Sequence, residues 1–212
     1  MLTNPVFIKF KGNKMRISPV FKRFLRITVF MILSIGGAGN VYAATFKGVG
    51  GFGIDVGGDT IVTAVYSDGK TANLKAHQGF VFYGGGVMVT GDFETQATIG
   101  YKFSRLNGSN GSITFNAIPV ELMEFYRTTN VRMGLGVSYQ SNANLNIDVL
   151  GSSKNGTRKY GNPLGTVLQI GWAPVSGPLS IDLRYTLIKY IDSTSSEEYN
   201  GNTAGIYMSF FF

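Results

Sequence analysis

The last ten residues of the chain, T-A-G-I-Y-M-S-F-F-F (203–212), give the clearest indication of the fold. Read with the two-residue period of a β-strand, they place an apolar face that ends on Phe210 and Phe212 opposite a mixed face that contains Tyr207 and Ser209. A soluble protein seldom ends on an exposed aromatic run, because chain termini are usually solvated. A strand whose outer face meets lipid can carry apolar residues to its final position, so this stretch favours a membrane barrel strand.

Composition limits the class of protein. The 212 residues are enough for one domain and include no cysteine, which removes disulfides, thiol nucleophiles and thiolate metal sites. The 29 glycines, 16 phenylalanines and 11 tyrosines suit closely packed strands better than helices.

The net charge of +7 belongs to the N-terminus alone. Seven of the 19 Lys and Arg residues lie before residue 27, whereas all 12 Asp and Glu residues lie after residue 50. From Ala44 onward 12 basic residues balance 12 acidic ones, so the body of the chain is formally neutral. This distribution argues against a nucleic-acid partner, which would need a basic surface on the folded domain.

The N-terminal 43 residues have the pattern of a secretory signal peptide. K-R-F-L-R (22–26) is a positive flank, I-T-V-F-M-I-L-S-I (27–35) is an apolar run, and V-Y-A (41–43) offers a cleavage site. The apolar run is too short for the roughly 20 residues of a transmembrane helix. We therefore predict a signal peptide over 1–43, with Met15 as an alternative start, and a mature domain over 44–212.

The mature domain divides into eight segments of alternating apolar and polar residues, separated by turn signals. Connections after the second, fourth and sixth segments are short, and those after the third, fifth and seventh are longer and more polar. This arrangement predicts an all-β fold, an eight-stranded antiparallel up-and-down barrel that crosses a membrane. The eight segments cover 46–66, 71–89, 93–103, 113–127, 131–140, 164–173, 179–190 and 203–212.

Two segments are less regular than the others. In the second, we assign Val81, Tyr83, Val87 and Val89 to the outer face. In the fourth, Glu124 shares the apolar face and Pro119 lacks a backbone donor, so we expect a bulge near Pro119 or a position close to the membrane edge. The tips of the longer loops are predicted near Asp68, Asn110, Asn155 and Tyr199.

A soluble eight-stranded barrel such as a lipocalin shows the same alternation with its faces inverted, because its apolar residues point inward around a ligand. Periodicity alone does not distinguish the two. Charged residues on the mixed face, and tyrosine or tryptophan near the ends of the apolar face, favour the membrane barrel. The aromatic residues in such positions are Tyr126, Tyr139, Trp172 and Tyr185.

The signal, the eight strands and the terminal phenylalanine resemble the small outer-membrane β-barrel proteins, the OmpX/OmpW-like and OmpA-transmembrane-domain-like group. The resemblance extends over nearly all of 44–212, including I-P-V-E-L-M-E-F-Y-R (118–127), V-R-M-G-L-G-V-S-Y (131–139) and L-R-Y-T-L-I-K-Y (183–190). It implies a monomer in the bacterial outer membrane, in contact with outer-membrane lipid and lipopolysaccharide.

The resemblance also implies a role for the C-terminus. In that family a last strand that ends in phenylalanine is read by the barrel-assembly machinery, and periplasmic chaperones deliver the unfolded chain. The same role is implied here for Tyr207, Phe210 and Phe212.

The inward faces of the predicted strands hold charged residues. An isolated charge in a narrow barrel is costly, so these residues should pair with one another. We predict an ion-pair network that fills the barrel interior as a structural plug, with Glu121, Arg132 and Arg184 at its centre. The residues predicted for this network are Glu94, Lys102, Glu121, Arg132, Asp182 and Arg184.

The chain offers few residues for catalysis. Lipid A deacylases of the PagL type use a His-x-Ser pair, but Gly79 stands two places after the single histidine, His77. We expect His77 near the outer rim of the second segment, where a role like that in the PagP palmitoyltransferases stays open. One histidine, no cysteine and no D-x-D-x-D-G loop give no predicted metal or cofactor site.

Three functions follow from the sequence. The leading hypothesis is a non-enzymatic barrel with a structural or surface-interaction role. The second is OmpW-like, porin-like passage of small hydrophobic molecules, which an apolar lumen would favour. The third is a lipid A acyl-modifying enzyme that acts through His77. The residues expected to make the lumen apolar are Phe80, Phe82, Met88 and Phe115.

Overall fold

The computed structural model describes residues 43–66, 68–174 and 177–212, and this part of the chain consists of strands and their connections. The predicted signal peptide lies outside the described residues up to residue 42. The strands are β1 (Thr45–Gly57), β2 (Thr60–Val65), β3 (Thr71–Lys75), β4 (Gly79–Thr90), β5 (Phe93–Gly108), β6 (Gly111–Arg127), β7 (Val131–Val149), β8 (Gly156–Lys159), β9 (Leu164–Trp172), β10 (Leu179–Leu187), β11 (Lys189–Ile191), β12 (Glu198–Asn200) and β13 (Thr203–Phe211).

Eight of these strands close into a ring. In spatial order they are β1, β4, β5, β6, β7, β9, β10 and β13, and every neighbouring pair is antiparallel. The last strand returns to the first through a ladder that runs from Val49–Phe211 to Gly57–Thr203. The closure leaves no unpaired edge in the barrel wall and confirms the predicted all-β, eight-stranded antiparallel barrel.

The two ends of the barrel differ. At one end, here called the short-turn end, brief connections join β4 to β5, β6 to β7 and β9 to β10, and β1 begins beside the end of β13. At the other end, here called the hairpin end, the connections carry the β2–β3 hairpin, β8 and the β11–β12 hairpin. The connection of β5 to β6 is a tight turn at 109–110 rather than the predicted polar loop, because both strands continue into it.

The outer wall of the barrel is an apolar belt. Side chains such as Ile99, Leu183 and Ile206 alternate outward along their strands and are exposed, as the sequence predicts. Aromatic residues lie near both limits of this belt. Four of them are the predicted girdle residues, all on the outer surface: Tyr126, Tyr139, Trp172 and Tyr185.

The face assignment of β4 from sequence is wrong. Phe82 is 56% exposed on the outer wall with Phe80 and Met88, whereas Val81 and Val87 are buried inside. Both faces of this strand are apolar, so alternation alone could not choose between them. The antiparallel register with β1 determines which face of β4 points outward, because it places Phe82 beside outward-facing Phe52 and Phe80 beside outward-facing Ile54.

The expected irregularity near Pro119 is a β-bulge in the partner strand. The β6–β7 register shifts by one between Asn116 and Ile118, and the extra residue lies in β7 at Asn142, which has a positive φ of 52°. The bulge changes which residues of β7 point inward, from Gln140 below it to Ala143 above it. Glu124 faces outward as predicted and accepts a 2.7 Å hydrogen bond from Thr95 Oγ1.

At the hairpin end, buried apolar side chains form a second core, here called the cap. The chain leaves the barrel at Gly57 and Gly58, whose φ angles of 120° and 81° suit glycine, so β2 is a separate strand rather than a continuation of the first segment. Tyr199 is buried in the cap and is not the loop tip that we expected. The larger members of the cap are Ile61, Val62, Leu74, Phe115, Leu145, Ile147, Tyr160, Tyr190 and Tyr199.

Inward-facing glycines make room for large side chains of the neighbouring strand. A Cβ built on Gly134 would lie 2.4 Å from the Phe125 ring, and one on Gly53 would lie 2.8 Å from the Tyr207 ring. By contrast, a Cβ on outward-facing Gly86 would meet nothing within 4 Å. At these two positions the narrow barrel accommodates an aromatic residue because the adjacent strand lacks a side chain.

We expect Gly134→Ala to destabilise the barrel by about 1–3 kcal/mol, because the added methyl overpacks the interior against Phe125. Gly86→Ala makes the same chemical change on the outer wall and should change the free energy of unfolding by less than ~0.5 kcal/mol. Urea unfolding of the refolded barrel in vesicles measures both. Equal effects of the two substitutions would contradict this account of the glycines.

Candidate functional site

Arg132 lies at the centre of the largest polar cluster in the barrel interior. Its Nε and Nη2 donate to the two carboxylate oxygens of Asp182 at 2.8 and 2.7 Å, and its Nη1 donates to Glu94 at 2.7 Å. Ser180 and Ser209 accept further bonds at 2.8 and 3.3 Å. The side chain is 0% exposed, and a guanidinium can be buried at modest cost only when its donors are paired in this way.

Aromatic rings complete the surroundings of this guanidinium. Arg132 Cζ lies 4.3 Å from the centre of the Phe125 ring and 5.3 Å from that of Phe211. Both distances are within the range of a cation–π interaction. Sequence reasoning did not select Phe125, Ser180 or Ser209, because neutral residues on an inward face give no signal of their own.

Arg127 links the Arg132 cluster to the short-turn end. Its Nη1 donates to Glu94 at 2.6 Å, so Glu94 is held between two arginines. The turn between β6 and β7 follows Arg127 directly and begins with Thr128, whose hydroxyl donates to the Val131 carbonyl at 3.1 Å. This turn fixes the end of β6, and with it the position from which Arg127 reaches Glu94.

Two further ion pairs lie nearer the hairpin end. Arg184 donates to both carboxylate oxygens of Glu121, at 2.9 Å for the Nη1–Oε2 bond. Lys102 Nζ donates to Asp55 Oδ2 at 2.6 Å, and the Tyr207 hydroxyl donates to the same oxygen at 2.6 Å. The Arg184 guanidinium stacks 4.5 Å from the Tyr207 ring centre and so connects the two pairs.

The structure places all six residues of the predicted network inside the barrel but divides them. Arg132, Glu94 and Asp182 form one cluster, whereas Glu121 and Arg184 form a separate pair. Lys102 pairs with Asp55, which was not among the six. The paired interior groups carry four positive and four negative formal charges: Arg127, Arg132, Arg184 and Lys102 against Glu94, Asp182, Glu121 and Asp55.

The interior has no room for water at its charged centre. Glu94 and Arg132 are 0% exposed and Lys102 is 1% exposed. A water-filled channel would leave such side chains accessible, as it does in large porins. The arrangement can hold neighbouring strands in one register.

His77 is buried in the cap rather than on an outer rim. Its Nδ1 shares a 2.6 Å hydrogen bond with the Tyr190 hydroxyl, and its φ is 64°. Burial lowers the pKa of His77 well below its usual 6.5, and the positive charge of Lys102 lowers it further. Burial also raises the pKa of Tyr190, so the two groups meet as neutral partners.

The residues of the predicted C-terminal assembly signal lie in two environments. Phe210 and Phe212 lie on the outer wall, whereas Tyr207 is buried inside with its hydroxyl on Asp55. Phe212 exchanges two backbone hydrogen bonds with Gly48, at 2.7 and 3.0 Å, and its ring lies over that glycine. The last residue is thus fixed at the seam between the first and last strands.

The chain is therefore an eight-stranded antiparallel β-barrel with an apolar exterior and a filled, charged interior. Within 43–66, 68–174 and 177–212, no helix is long and apolar enough to cross a membrane. No family model and no curated protein matches the chain.

The solved structures that are similar to this chain include two β-barrels. The crystal structure of Neisserial surface protein A is 15% identical with a TM-score of 0.47, over 80% of this chain and 99% of that chain. The crystal structure of Ail, the attachment invasion locus protein of Yersinia pestis, in complex with the heparin analogue sucrose octasulfate, is 13% identical. It has a TM-score of 0.46 over 81% of this chain and 100% of that chain.

We expect Arg132→Met to destabilise the barrel by about 3–5 kcal/mol, because it leaves Asp182 as a buried carboxylate without its cationic partner and Glu94 with Arg127 alone. Adding Asp182→Asn should recover part of the loss, because the Arg127–Glu94 pair that remains is neutral. Lys70→Met, which removes an exposed pair with Asp68, is the control and should have little effect. Urea unfolding measures all three, and a near-wild-type Arg132→Met barrel would contradict the assigned role.

The cap should lose stability in acid. The pKa of His77 is lowered in the folded cap, so the opened cap binds a proton first as the pH falls below about 6.5. Opening should therefore become easier by up to ~1.4 kcal/mol per pH unit below that value and be independent of His77 above it. Asp55 opposes this shift, and Lys102 and Arg184 reinforce it.

Hydrogen exchange at Leu74 and Ala76 between pH 7.5 and 5 measures opening of the cap, after correction for the intrinsic pH dependence of exchange. His77→Gln should abolish the dependence on pH below 6.5. If the variant keeps the wild-type pH profile, another group is responsible.

Proposed function

We propose that this protein is a non-enzymatic outer-membrane β-barrel with a structural or surface-interaction role. The observation that carries the proposal is an inversion of polarity along the strands. In β6, Leu122 and Val120 face outward while Glu121 faces inward; nearer the hairpin end, Asn116 faces outward while Phe115 faces inward. A strand with an apolar outside and a charged inside suits lipid, and one with the reverse suits water.

The same inversion in neighbouring strands supports a membrane edge at this height. In β7, the outward residues change from Leu135 and Tyr139 to Asn144, and the inward residues change from Gln140 to Leu145. About ten residues of each strand lie on the apolar side of the inversion, which is the length that a tilted strand needs to cross the hydrocarbon core. The predicted signal peptide and the even number of strands favour the bacterial outer membrane.

The ion pairs then serve as a structural plug in the lumen. Passage of small hydrophobic molecules is disfavoured, because the residues expected to make the lumen apolar do not line it. Phe80, Phe82 and Met88 face outward, and Phe115 is buried in the cap. Catalysis through His77 is disfavoured because its ring is buried and hydrogen-bonded to Tyr190. A surface role is favoured because β5, β6 and β7 project beyond the membrane edge and carry the cap.

Partners follow from the same location. The belt would contact outer-membrane lipid, and the projecting strands would meet lipopolysaccharide. Phe210 and Phe212, outward at the last seam, are the residues that the barrel-assembly machinery would read, while buried Tyr207 fixes their register. A monomer suffices, because the interior charges are paired within one chain.

Expression in a Gram-negative host tests the location. The mature protein should partition with the outer membrane and migrate faster on gels before heating than after it. A protein found in the soluble periplasmic fraction would overturn the proposal.

Two further measurements test the alternative functions. Planar-bilayer conductance of the refolded barrel should show no flux, and lipid A should have the same mass with wild type and His77→Ala. Flux would restore the passage of small molecules, and a change in the mass of lipid A would restore the acyl-modifying activity.

We expect deletion of Phe212 to impair assembly more than stability. The residue contributes one exposed ring and two terminal hydrogen bonds, so refolding in vitro should proceed with only a modest loss of stability. The heat-modifiable form in cells should decrease several-fold. A Leu150→Ala variant, which removes an exposed apolar side chain at the hairpin end, is the control. Normal assembly of the deletion in cells would contradict the role of Phe212.

A further inference from the structure

The outer surface of the projecting sheet is a flat polar face. Beyond the membrane edge β5, β6 and β7 continue, and β8 adds a fourth strand to β7. Cross-strand pairing sets the outward side chains in two rows, Asn116–Asn144–Lys159 and Arg105–Thr114–Asn146. These six residues are here called the polar face.

The polar face stands directly above the lipid-facing belt. In β6 the same alternate positions run outward without interruption from Leu122 in the belt to Asn116 and Thr114. In β5 they run from Tyr101 to Arg105. A lipid that lies against β5, β6 and β7 with its headgroup toward the hairpin end would therefore present that headgroup to the polar face.

The polar face has unused hydrogen-bonding capacity. Arg105 donates one bond within the described part of the chain, to Ser112 Oγ at 3.2 Å, although a guanidinium carries five N–H groups. Asn146 Oδ1 accepts from Thr157 at 2.7 Å, which orients its amide nitrogen away as a donor. The amides of Asn116 and Asn146 offer hydrogen bonds to hydroxyl groups, whereas Asn144 Nδ2 already donates to Asn142. Arg105 and Lys159 offer charge-assisted bonds to phosphates.

We propose that the polar face binds the saccharide–phosphate headgroup of lipopolysaccharide in the outer leaflet. This inference rests on the proposed outer-membrane location. A protein partner is less suited, because none of the six residues is an aromatic or aliphatic anchor of the kind that a protein interface needs at its centre. Phe103, which pairs with Asn116 at the edge of the first row, packs against Phe80 and Phe82 of the belt. The cations lie in the rows closer to the membrane, and acidic Asp148 lies one row farther out, which places positive charge at the level of the lipid phosphates.

The first test uses the mature barrel in nanodiscs of three compositions: lipopolysaccharide with its core saccharide, lipid A alone, and phosphatidylglycerol. Side-chain amide resonances of Asn116, Asn144 and Asn146 should shift most with the core saccharide, less with lipid A, and not with phosphatidylglycerol. Equal shifts in all three compositions would show attraction by charge alone and would overturn the inference. So would the absence of any shift.

The second test compares two double variants with the same change in charge. Arg105→Ser with Lys159→Ser should weaken lipopolysaccharide binding about tenfold, because two charge-assisted bonds are lost. Lys70→Ser with Lys75→Ser, in the β2–β3 hairpin, should leave binding unchanged. Equal losses in the two variants would overturn the inference. Failure of the wild-type barrel to enter nanodiscs at all would instead refute the membrane location.

Discussion

Neutralising buried charge in a narrow barrel is the constraint on which most of this structure depends. Arg132 is fully enclosed, and its charge is compatible with the fold only because Asp182 and Glu94 approach it from β10 and β5. Those strands lie on opposite sides of the ring, so the ion pairs connect across the lumen rather than along the wall. Side chains that must meet across the lumen limit the register of every strand between them, because a one-residue slip would turn them outward onto the apolar belt.

The glycines of the inner wall make room for the side chains that surround the buried charges. Eight strands leave a lumen that side chains fill, and a glycine on one strand makes room for a large side chain on the next. Gly134 lies beside Phe125, which supports Arg132, and Gly53 lies beside Tyr207, which supports Asp55. Glycines such as Gly53 and Gly134 thus allow packing around the charged clusters. The sequence shows the high glycine content, but it does not show which large side chain each glycine accommodates.

Periodicity predicted which residues face the interior in most strands, but not their positions along the barrel axis or their ion-pair partners. Ion pairing depends on the stagger between strands, so the sequence could group Glu121, Arg132 and Arg184 without showing that Arg132 lies in a different cluster. Alternation failed in β4, where both faces are apolar, and for His77, whose burial depends on hairpins that fold back over the lumen. The bulge near Pro119 was foreseeable because proline lacks a ladder donor, but its location in β7 was not.

The bulge in β7 lies where the polarity of the inward and outward faces reverses along the strand. In β6 the outward side chains change from Leu122 to Asn116, and the inward ones from a face that includes Glu121 to one of apolar residues such as Phe115, without any change of alternation. In β7 the extra residue at Asn142 shifts the alternation, so that Gln140 and Leu145 both face inward although their numbers differ in parity. Within the apolar belt the barrel thus has an apolar exterior and a charged lumen. Nearer the hairpin end its exterior is polar, and its interior is the apolar cap. Because the cap covers the lumen at the hairpin end, it contributes to the desolvation of the Lys102–Asp55 pair, whose side chains are 2% and 0% exposed.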